Sequence, residues 1–462
     1  MASISETSLD DRATALREAL GSRVVFAHEP EYDVVRAPWN PTADQRPFAV
    51  ATPQSAEDVV AIVRAATATG LRVAAQSTGH AAPGLCETDL SDVVLVRLGA
   101  LRGVTVHRAT LTATVLGGSH WNDVLDATAP HGFTALHGSA GDVSVVGYSL
   151  NGGVSFFARA HGLGINAVRS VEIVTADGSL VRASADENAD LFWAVRGGSG
   201  SFGVVVSLEI DLLPYADVFA GMLLWDASHT PEVARAWAEW TASAPESVTS
   251  TLRVLHLPPL PELPPFLSGR SLVVIDGAVL ETDARADELL QPLRDLAPEM
   301  DTFGRIPAAG LVHVHMDPPQ PTPAVTRHCI LGSLSDEAVA AFVAASEDPA
   351  LFVSEVRHVG GAASRPVPTG GAVSAIAGDY VVHAIAVPPV PEVVPAARAA
   401  ADTFIERFAP WAGEALVLTF LDGGSDRAPA FGASLDRLRA MKAEWDPRNV
   451  FAAANPVVPA GG

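Results

Sequence analysis

Two loops of this 462-residue sequence set glycines beside groups that can do chemistry. The first, Gln76-Ser77-Thr78-Gly79-His80, follows an apolar run and ends on a histidine. The second is Gly138-Ser-Ala-Gly-Asp-Val-Ser-Val-Val-Gly-Tyr-Ser-Leu-Asn-Gly-Gly153. Glycines let a backbone approach a ligand closely and turn N–H groups toward an anion. The chain has 30 Lys plus Arg against 53 Asp plus Glu, a net charge of −23. It has little positive potential for a phosphorylated cofactor, so backbone donors must serve. The same charge excludes nucleic acid and anionic membrane as partners, since both need basic surfaces.

A third stretch, Phe352-Val-Ser-Glu-Val-Arg-His-Val-Gly-Gly361, places ionisable groups in an apolar run. On a strand, Glu355 and Arg357 share one face and His358 takes the other. Tyr380 and His383 follow on the next apolar run. Glu355 and Arg357 either pair structurally or orient a substrate; burying them unpaired would cost several kcal/mol. His313, His315 and Asp317 stand at i, i+2 and i+4, a ligand-like spacing if they lie on a strand. Two His and one Asp provide no surrounding support, and a half-exposed strand running into a proline loop explains them better. No metal is expected. Two cysteines, Cys86 and Cys329, are too few for a disulfide framework or a cysteine zinc site. Gly162-x-Gly164-x-x-Ala167 and Gly198-x-Gly200-x-x-Gly203 match the dinucleotide pattern. Each leads into a strand-like run instead of a helix, which removes the helix N-terminus that motif needs.

The elements that must hold these loops are legible. Phe48–Ala51 reads as a strand, and Ser55 caps a helix with Val59, Val60, Ile62 and Val63 on its apolar side. Gly70 ends that helix; Leu71–Ala75 and Asp92–Val96 are buried strands. Leu111–Val115 alternates and Trp121–Ala127 is helical. Val168–Ala176 and Leu180–Ala183 form a hairpin about Ala-Asp-Gly, Asp190–Val195 is a short helix, and Val204–Leu212 is a strand. From 213 to 424, strands alternate with amphipathic helices such as Thr230–Ser243 and Thr282–Leu296. Proline clusters at Leu257–Pro265, Asp317–Pro323 and Val387–Pro395 punctuate them. Leu435–Lys442 is a helix, followed by a turn at Asp446-Pro-Arg-Asn449. The N-terminus is polar and acidic and no apolar stretch reaches about 18 residues, so a cytoplasmic protein is expected.

At these loops the sequence resembles flavoproteins of the vanillyl-alcohol-oxidase/PCMH fold, specifically the berberine-bridge-enzyme-like branch and its bacterial 6-hydroxynicotine-oxidase type. The first loop is similar to the family's R-S-G-G-H, and Leu150-Asn-Gly-Gly-Val154 to its second glycine loop. Asp177–Ala183, Leu191-Phe-Trp-Ala-Val-Arg-Gly-Gly198, Ser201-Phe-Gly-Val-Val205, Leu438–Phe451 and Asn455-Pro match further family segments. The resemblance implies an α+β fold. A PCMH-type FAD-binding domain of two α/β subdomains would span 1–212. A substrate domain, an antiparallel sheet covered by helices, would span 213–424, and 425–462 would return to the FAD domain.

It also implies FAD, linked through its 8α position to His80. Contacts would come from Gln76, Ser77, Thr78 and Gly79, then from Gly138, Ser139, Ala140, Val143, Gly147, Asn151, Gly152, Gly153 and Val154, and from Val205 and Asn455. Gln76 and Thr78 depart from the family's Arg and Gly. Ala140 stands where some members carry a second flavin-linking cysteine, so one tether is implied. Val417-Leu-Thr419 replaces a Tyr-x-Asn whose tyrosine is a base in several members. Val145 aligns with the position that gates oxygen. The implied activity is a secondary-metabolic oxidase: hydride leaves a small organic substrate (alcohol, amine or sugar) for the flavin, and O2 becomes H2O2. Glu355, Arg357 and Tyr380 are the expected substrate-facing residues. A flavin dehydrogenase or cyclase not using O2, or a flavin-binding protein without turnover, are the other readings.

Overall fold

The computed structural model describes residues 9–259, 261 and 267–459. The cluster Leu257–Pro265 falls largely outside them. Three sheets organise the described residues. The first has five strands in the order Val24–Phe26, Ala49–Ala51, Val93–Arg97, Arg72–Gln76 and Phe451–Ala452. All its neighbours are parallel except the first pair. The helix Ala56–Ala68 covers it because Val59, Ile62, Val63 and Ala66 fall on one stripe, while the Ser55 side chain accepts from Asp58 N at the helix start. The last strand comes from the C-terminal end of the chain. Its return is locked by Lys442, whose buried Nζ donates to Ser201 O and to Asp446 Oδ2, both at 2.6 Å. Asp446 in turn accepts from Val450 N and Phe451 N.

The second sheet is antiparallel, in the order Val104–His107, Thr112–Leu116, Val204–Asp211, Val168–Val174 and Leu180–Ser184. The two dinucleotide-like glycine patterns are short 3-10 turns, Gly164–Ala167 and Ser199–Ser201, each leading into a strand of this sheet. The second glycine loop is more ordered than a glycine-rich stretch suggests: it holds a short helix, Val145–Leu150, and a second, Ala158–His161, follows it.

The third sheet has eight antiparallel strands. Its main path runs Met300–Asp301, Asp217–Asp226, Ser271–Val279, Val248–His256, Val353–His358, Tyr380–Ala386 and Val325–Leu331. Helices Thr230–Thr241, Asp283–Arg294, Asp336–Ala345 and Val394–Glu406 pack on one face of it, burying Trp237, Leu290, Phe342 and Phe404 against Leu252, Ile275, Val356 and Val382. Alternation then turns Arg253, Asp276, Glu355, Arg357 and His383 to the opposite face. That face lies against the second glycine loop. A cavity of about 20 Å³ between them is lined by Ser139, Val154, Phe156, Thr251 and Arg357. No described helix is long and apolar enough to cross a membrane.

Candidate active site

Arg72–Gln76 delivers the first loop at the C-terminal edge of the parallel strands, where open α/β sheets bind ligands. Gln76 is buried and exchanges side-chain hydrogen bonds of 3.0 Å with Gln45. Arg97, its register partner on the neighbouring strand, also donates to its Oε1. Ser77 Oγ donates to Gly118 O at 3.4 Å. Gly79 must be glycine: its φ is +94°, and a Cβ there would lie 2.8 Å from Pro38 Cβ. The Pro38–Asn40 segment is stitched over the loop by Trp39 N donating to Thr78 O at 3.0 Å.

His80 sits beneath that cover. The Trp39 ring stacks on its imidazole with centroids 4.1 Å apart and planes at 16°. Thr78 Oγ1 lies 2.8 Å from Nδ1. Nε2 is buried without a hydrogen-bond partner, 3.9 Å from Asp142 Oδ1. Trp39 Nε1 donates to the other oxygen of Asp142 at 2.6 Å. Burial pushes the His80 pKa down to about 4 against the pull of Asp142, so the ring is neutral at neutral pH.

In the second loop, Ser139 Oγ donates to Asp317 Oδ2 at 2.6 Å. Ala140 contributes only a half-buried methyl group. Val143 O accepts from Trp121 N at 3.1 Å, and Gly147 O from Asn151 Nδ2 at 2.7 Å. Tyr148 packs its ring against Gly138 and Gly153; its hydroxyl is buried without a partner, and burial raises its pKa. Val145 and Val205 are buried in the core under the second sheet, and Val154 in a cluster with Val381 and Val417. Gly152 has φ +113°, and a Cβ there would meet nothing nearer than Thr419 Oγ1 at 4.0 Å. Asn455 Nδ2 reaches Asn151 Oδ1 at 3.2 Å and Leu418 O at 3.4 Å, joining the closing segment to this loop.

Across from the loop, Glu355 is fully buried and collects donors. Arg357 Nε donates to its Oε1 at 2.7 Å and His383 Nδ1 to the same oxygen at 2.9 Å; His315 Nε2 lies 3.4 Å from Oε2. Burial opposes the Glu355 charge, but Arg357, His315 and His383 together hold its pKa well below the ordinary carboxylate value. His315 bridges to Asp276 at 2.9 Å, and Asp276 pairs with Arg253 at 2.6 Å. Burial and Arg253 oppose a charge on His315; the Asp276 carboxylate outweighs them and raises its pKa. His383 Nε2 is buried without a partner. Phe420 stacks at an angle on His383 at 5.0 Å and lies under the Arg357 guanidinium at 5.2 Å.

Two expectations are corrected. Tyr380 does not share a face with Glu355 and Arg357. It is the cross-strand partner of His358, stacks on it at 4.9 Å, and bonds Thr241 Oγ1 at 3.0 Å beneath the helices. The two-residue period that separates Glu355 from His358 places it there. His313–Asp317 is not a strand: His313 ends a 3-10 helix, His315 enters the Asp276–Glu355 network, and Asp317 accepts from Ser139. Among the described residues no group of three or more His, Cys, Asp or Glu side chains is arranged to hold a metal.

Residues 47–184 match the family model described as FAD binding domain, and 424–458 the one described as berberine and berberine like. These two stretches are similar to an FAD-binding domain and to the closing segment of berberine-like flavoproteins. An FAD-dependent monooxygenase of Penicillium roqueforti is 33% identical over 217 residues, 46% of this chain and 41% of that protein. The (R)-6-hydroxynicotine oxidase of Paenarthrobacter nicotinovorans is 32% identical over 212 residues, 46% of each. The chain thus spans less than half the length of the curated relatives it matches. A BBE-like 1 protein of Physcomitrella patens shares the fold across 98% of this chain and 99% of its own, at TM-score 0.84 and 20% identity.

The residues present fit FAD. Three buried polar atoms on the site's walls, His80 Nε2, Tyr148 Oη and Thr419 Oγ1, lack partners among the described residues, and the room beside Gly152 is a cradle that a side chain would fill. Sequence reasoning missed several members. Trp39 and Asp142 carry no local signal, since only the fold brings residues 103 apart together. Arg253 and Asp276 did carry one: each is a single charge in an apolar strand, Thr251-Leu-Arg-Val-Leu255 and Val273-Val-Ile-Asp276.

Proposed function

We propose that this chain is an FAD-dependent oxidase that takes hydride from a small organic substrate bearing a hydroxyl or amine, with dioxygen as the final acceptor. The observation that carries the reading is the Glu355–His383 pair on the sheet face turned to the glycine loop. An ionised carboxylate only accepts hydrogen bonds, so the 2.9 Å contact assigns the imidazole proton to Nδ1 and leaves the lone pair on the unpartnered Nε2. That nitrogen is poised to take the proton a hydroxyl or amine loses when its carbon gives up hydride. Glu355 fixes the tautomer and stabilises the imidazolium that forms, and Arg357 keeps Glu355 ionised. Bound FAD supplies the two-electron acceptor. Gln76 to His80 and Gly138 to Val154 would hold it, with Asn151 and Asn455 at the closing segment, and His80 would tether it. Arg357, edged by Phe420, would orient the substrate. His383 thereby takes the role of the tyrosine that Val417-Leu-Thr419 lacks.

The test is a peroxide-release screen over alcohols, amines and oligosaccharides, followed by anaerobic mixing of each active compound with the flavoprotein. A substrate that bleaches the flavin without air and yields peroxide with air is expected, and His383→Gln should lower turnover by about 10²–10⁴-fold with flavin content unchanged. Bleaching without peroxide refutes the oxidase reading; full turnover in His383→Gln refutes the base.

A further inference from the structure

We propose that His315 is a positioning residue: neutral, it clamps the Arg357 guanidinium through Nε2, and protonated, it lets Arg357 go. The inference rests on the reading that Arg357 orients a substrate giving hydride to the flavin. His315 is buried, and its two nitrogens have different neighbours. Nδ1 lies 2.9 Å from Asp276 Oδ2, which only accepts, so Nδ1 carries a proton in either state. Nε2 faces Arg357 Nη2 at 3.0 Å and Glu355 Oε2 at 3.4 Å. A guanidinium only donates and a carboxylate only accepts, so these two partners require opposite states of one nitrogen. With a lone pair, Nε2 accepts from Arg357. With a proton, it sets a donor against a donor and turns to Glu355.

Arg357 Nε donates to Glu355 Oε1 at 2.7 Å, but its Nη2 holds Oε2 only at 3.3 Å. When His315 is protonated, Nη2 loses its shorter contact and the imidazolium competes for the oxygen that remains. The guanidinium is then free to pivot about its Nε bond. Arg357 lines the cavity against the second glycine loop, so that motion reaches a substrate bound there. The charges facing the ring come from every strand packed against it. Arg253 donates to His315 O at 2.8 Å and pairs with Asp276 on the next strand. Glu355 and Arg357 stand on the other side, with His383 beyond Glu355. Asp317 lies two residues along the same segment. Two cations thus meet three carboxylates, and a proton on His315 neutralises the remaining charge. Burial and Arg253 oppose that proton; Asp276 and Asp317 outweigh them, which places the exchange above the ordinary histidine value.

The experiment mixes the flavoprotein anaerobically with a compound that bleaches its flavin, across a range of pH. Reduction rates against concentration give a dissociation constant and a limiting rate at each pH. Dioxygen is absent, so the outcome is independent of the oxidase reading. The dissociation constant is expected to rise by up to about tenfold per pH unit as pH falls through the His315 exchange. His315→Gln keeps an oxygen for Arg357 and takes up no proton, so its step is expected to vanish. No step in the wild type, or an equal step in the variant, overturns the proposal. The second measurement needs no variant and no substrate: 1H–15N spectra of the wild-type flavoprotein grown with 15N-histidine, with His315 assigned through its contact to the Phe156 ring. Nε2 is expected to pass from unprotonated to protonated as pH falls, with Nδ1 protonated throughout. An Nε2 that stays in one state overturns the proposal and leaves the hydride-transfer reading intact. A titrating Nε2 with a flat dissociation constant overturns the substrate role of Arg357, and the proposal with it.

Discussion

Glu355→Gln and Tyr380→Phe, two polar residues on adjacent strands, should behave in opposite ways. Glu355 has no exposed surface and accepts from Arg357 at 2.7 Å and His383 at 2.9 Å, with His315 at 3.4 Å. A glutamine offers one acceptor and an NH2 group, so a donor meets a donor on one side, and the Arg357 guanidinium loses its counter-charge. Removing one partner of a buried charge pair costs about 3–5 kcal/mol. A glutamine oxygen can still accept from His383 Nδ1, but it carries no charge to stabilise the imidazolium, which should cost turnover about 10²–10⁴-fold. Tyr380→Phe removes one neutral hydrogen bond to Thr241, worth about 1 kcal/mol, on the helix side of the sheet. Its turnover should match the wild type. Urea unfolding and steady-state kinetics on both variants, normalised to flavin content, decide the matter. Turnover lost in Tyr380→Phe and kept in Glu355→Gln would refute the assignment of faces on which the site rests.

Gly152→Ala should reduce flavin content while costing the apoprotein only the strain of a positive φ, about 1–3 kcal/mol, because the new methyl meets no protein atom within 4.0 Å; equal flavin occupancy in variant and wild type would show the space is not the cofactor's. Burial holds His80 and His137 near pKa 4 and His328 and His358 near 3. The unfolded chain binds protons near pH 6.5 that the folded one does not, so stability is full above 6.5 and falls toward pH 4, by up to about 1.4 kcal/mol per pH unit for each histidine. A urea midpoint equal at pH 7 and pH 5 contradicts this. Lys442→Met leaves Asp446 buried and uncompensated and should cost about 3–5 kcal/mol, with earlier proteolysis of the C-terminal segment; an unchanged cleavage pattern argues against the lock.

What the sequence made legible was local. Ser55, the apolar stripe behind it and the strand ending at Gln76 follow from capping and periodicity, and alternation alone separated Glu355 and Arg357 from His358. The same rule, carried across the cross-strand pair His358–Tyr380, assigns Tyr380 to the helices, but only once the register is known. His315 looked like a strand residue because its spacing is strand-like; a proline-bounded 3-10 helix intervenes. Trp39 over His80 and Asp276 beside His315 are contacts across distant segments, which no local pattern encodes.

His80 as the tether of FAD is tested most directly on the purified protein. Purified protein should be yellow, and after acid precipitation its flavin should stay with the pellet at one per chain, fluorescing with the protein band on a denaturing gel; His80→Ala should bind flavin yet release all of it. Wild-type protein that is colourless after incubation with FAD, or that leaves its flavin in the acid supernatant, would contradict the account.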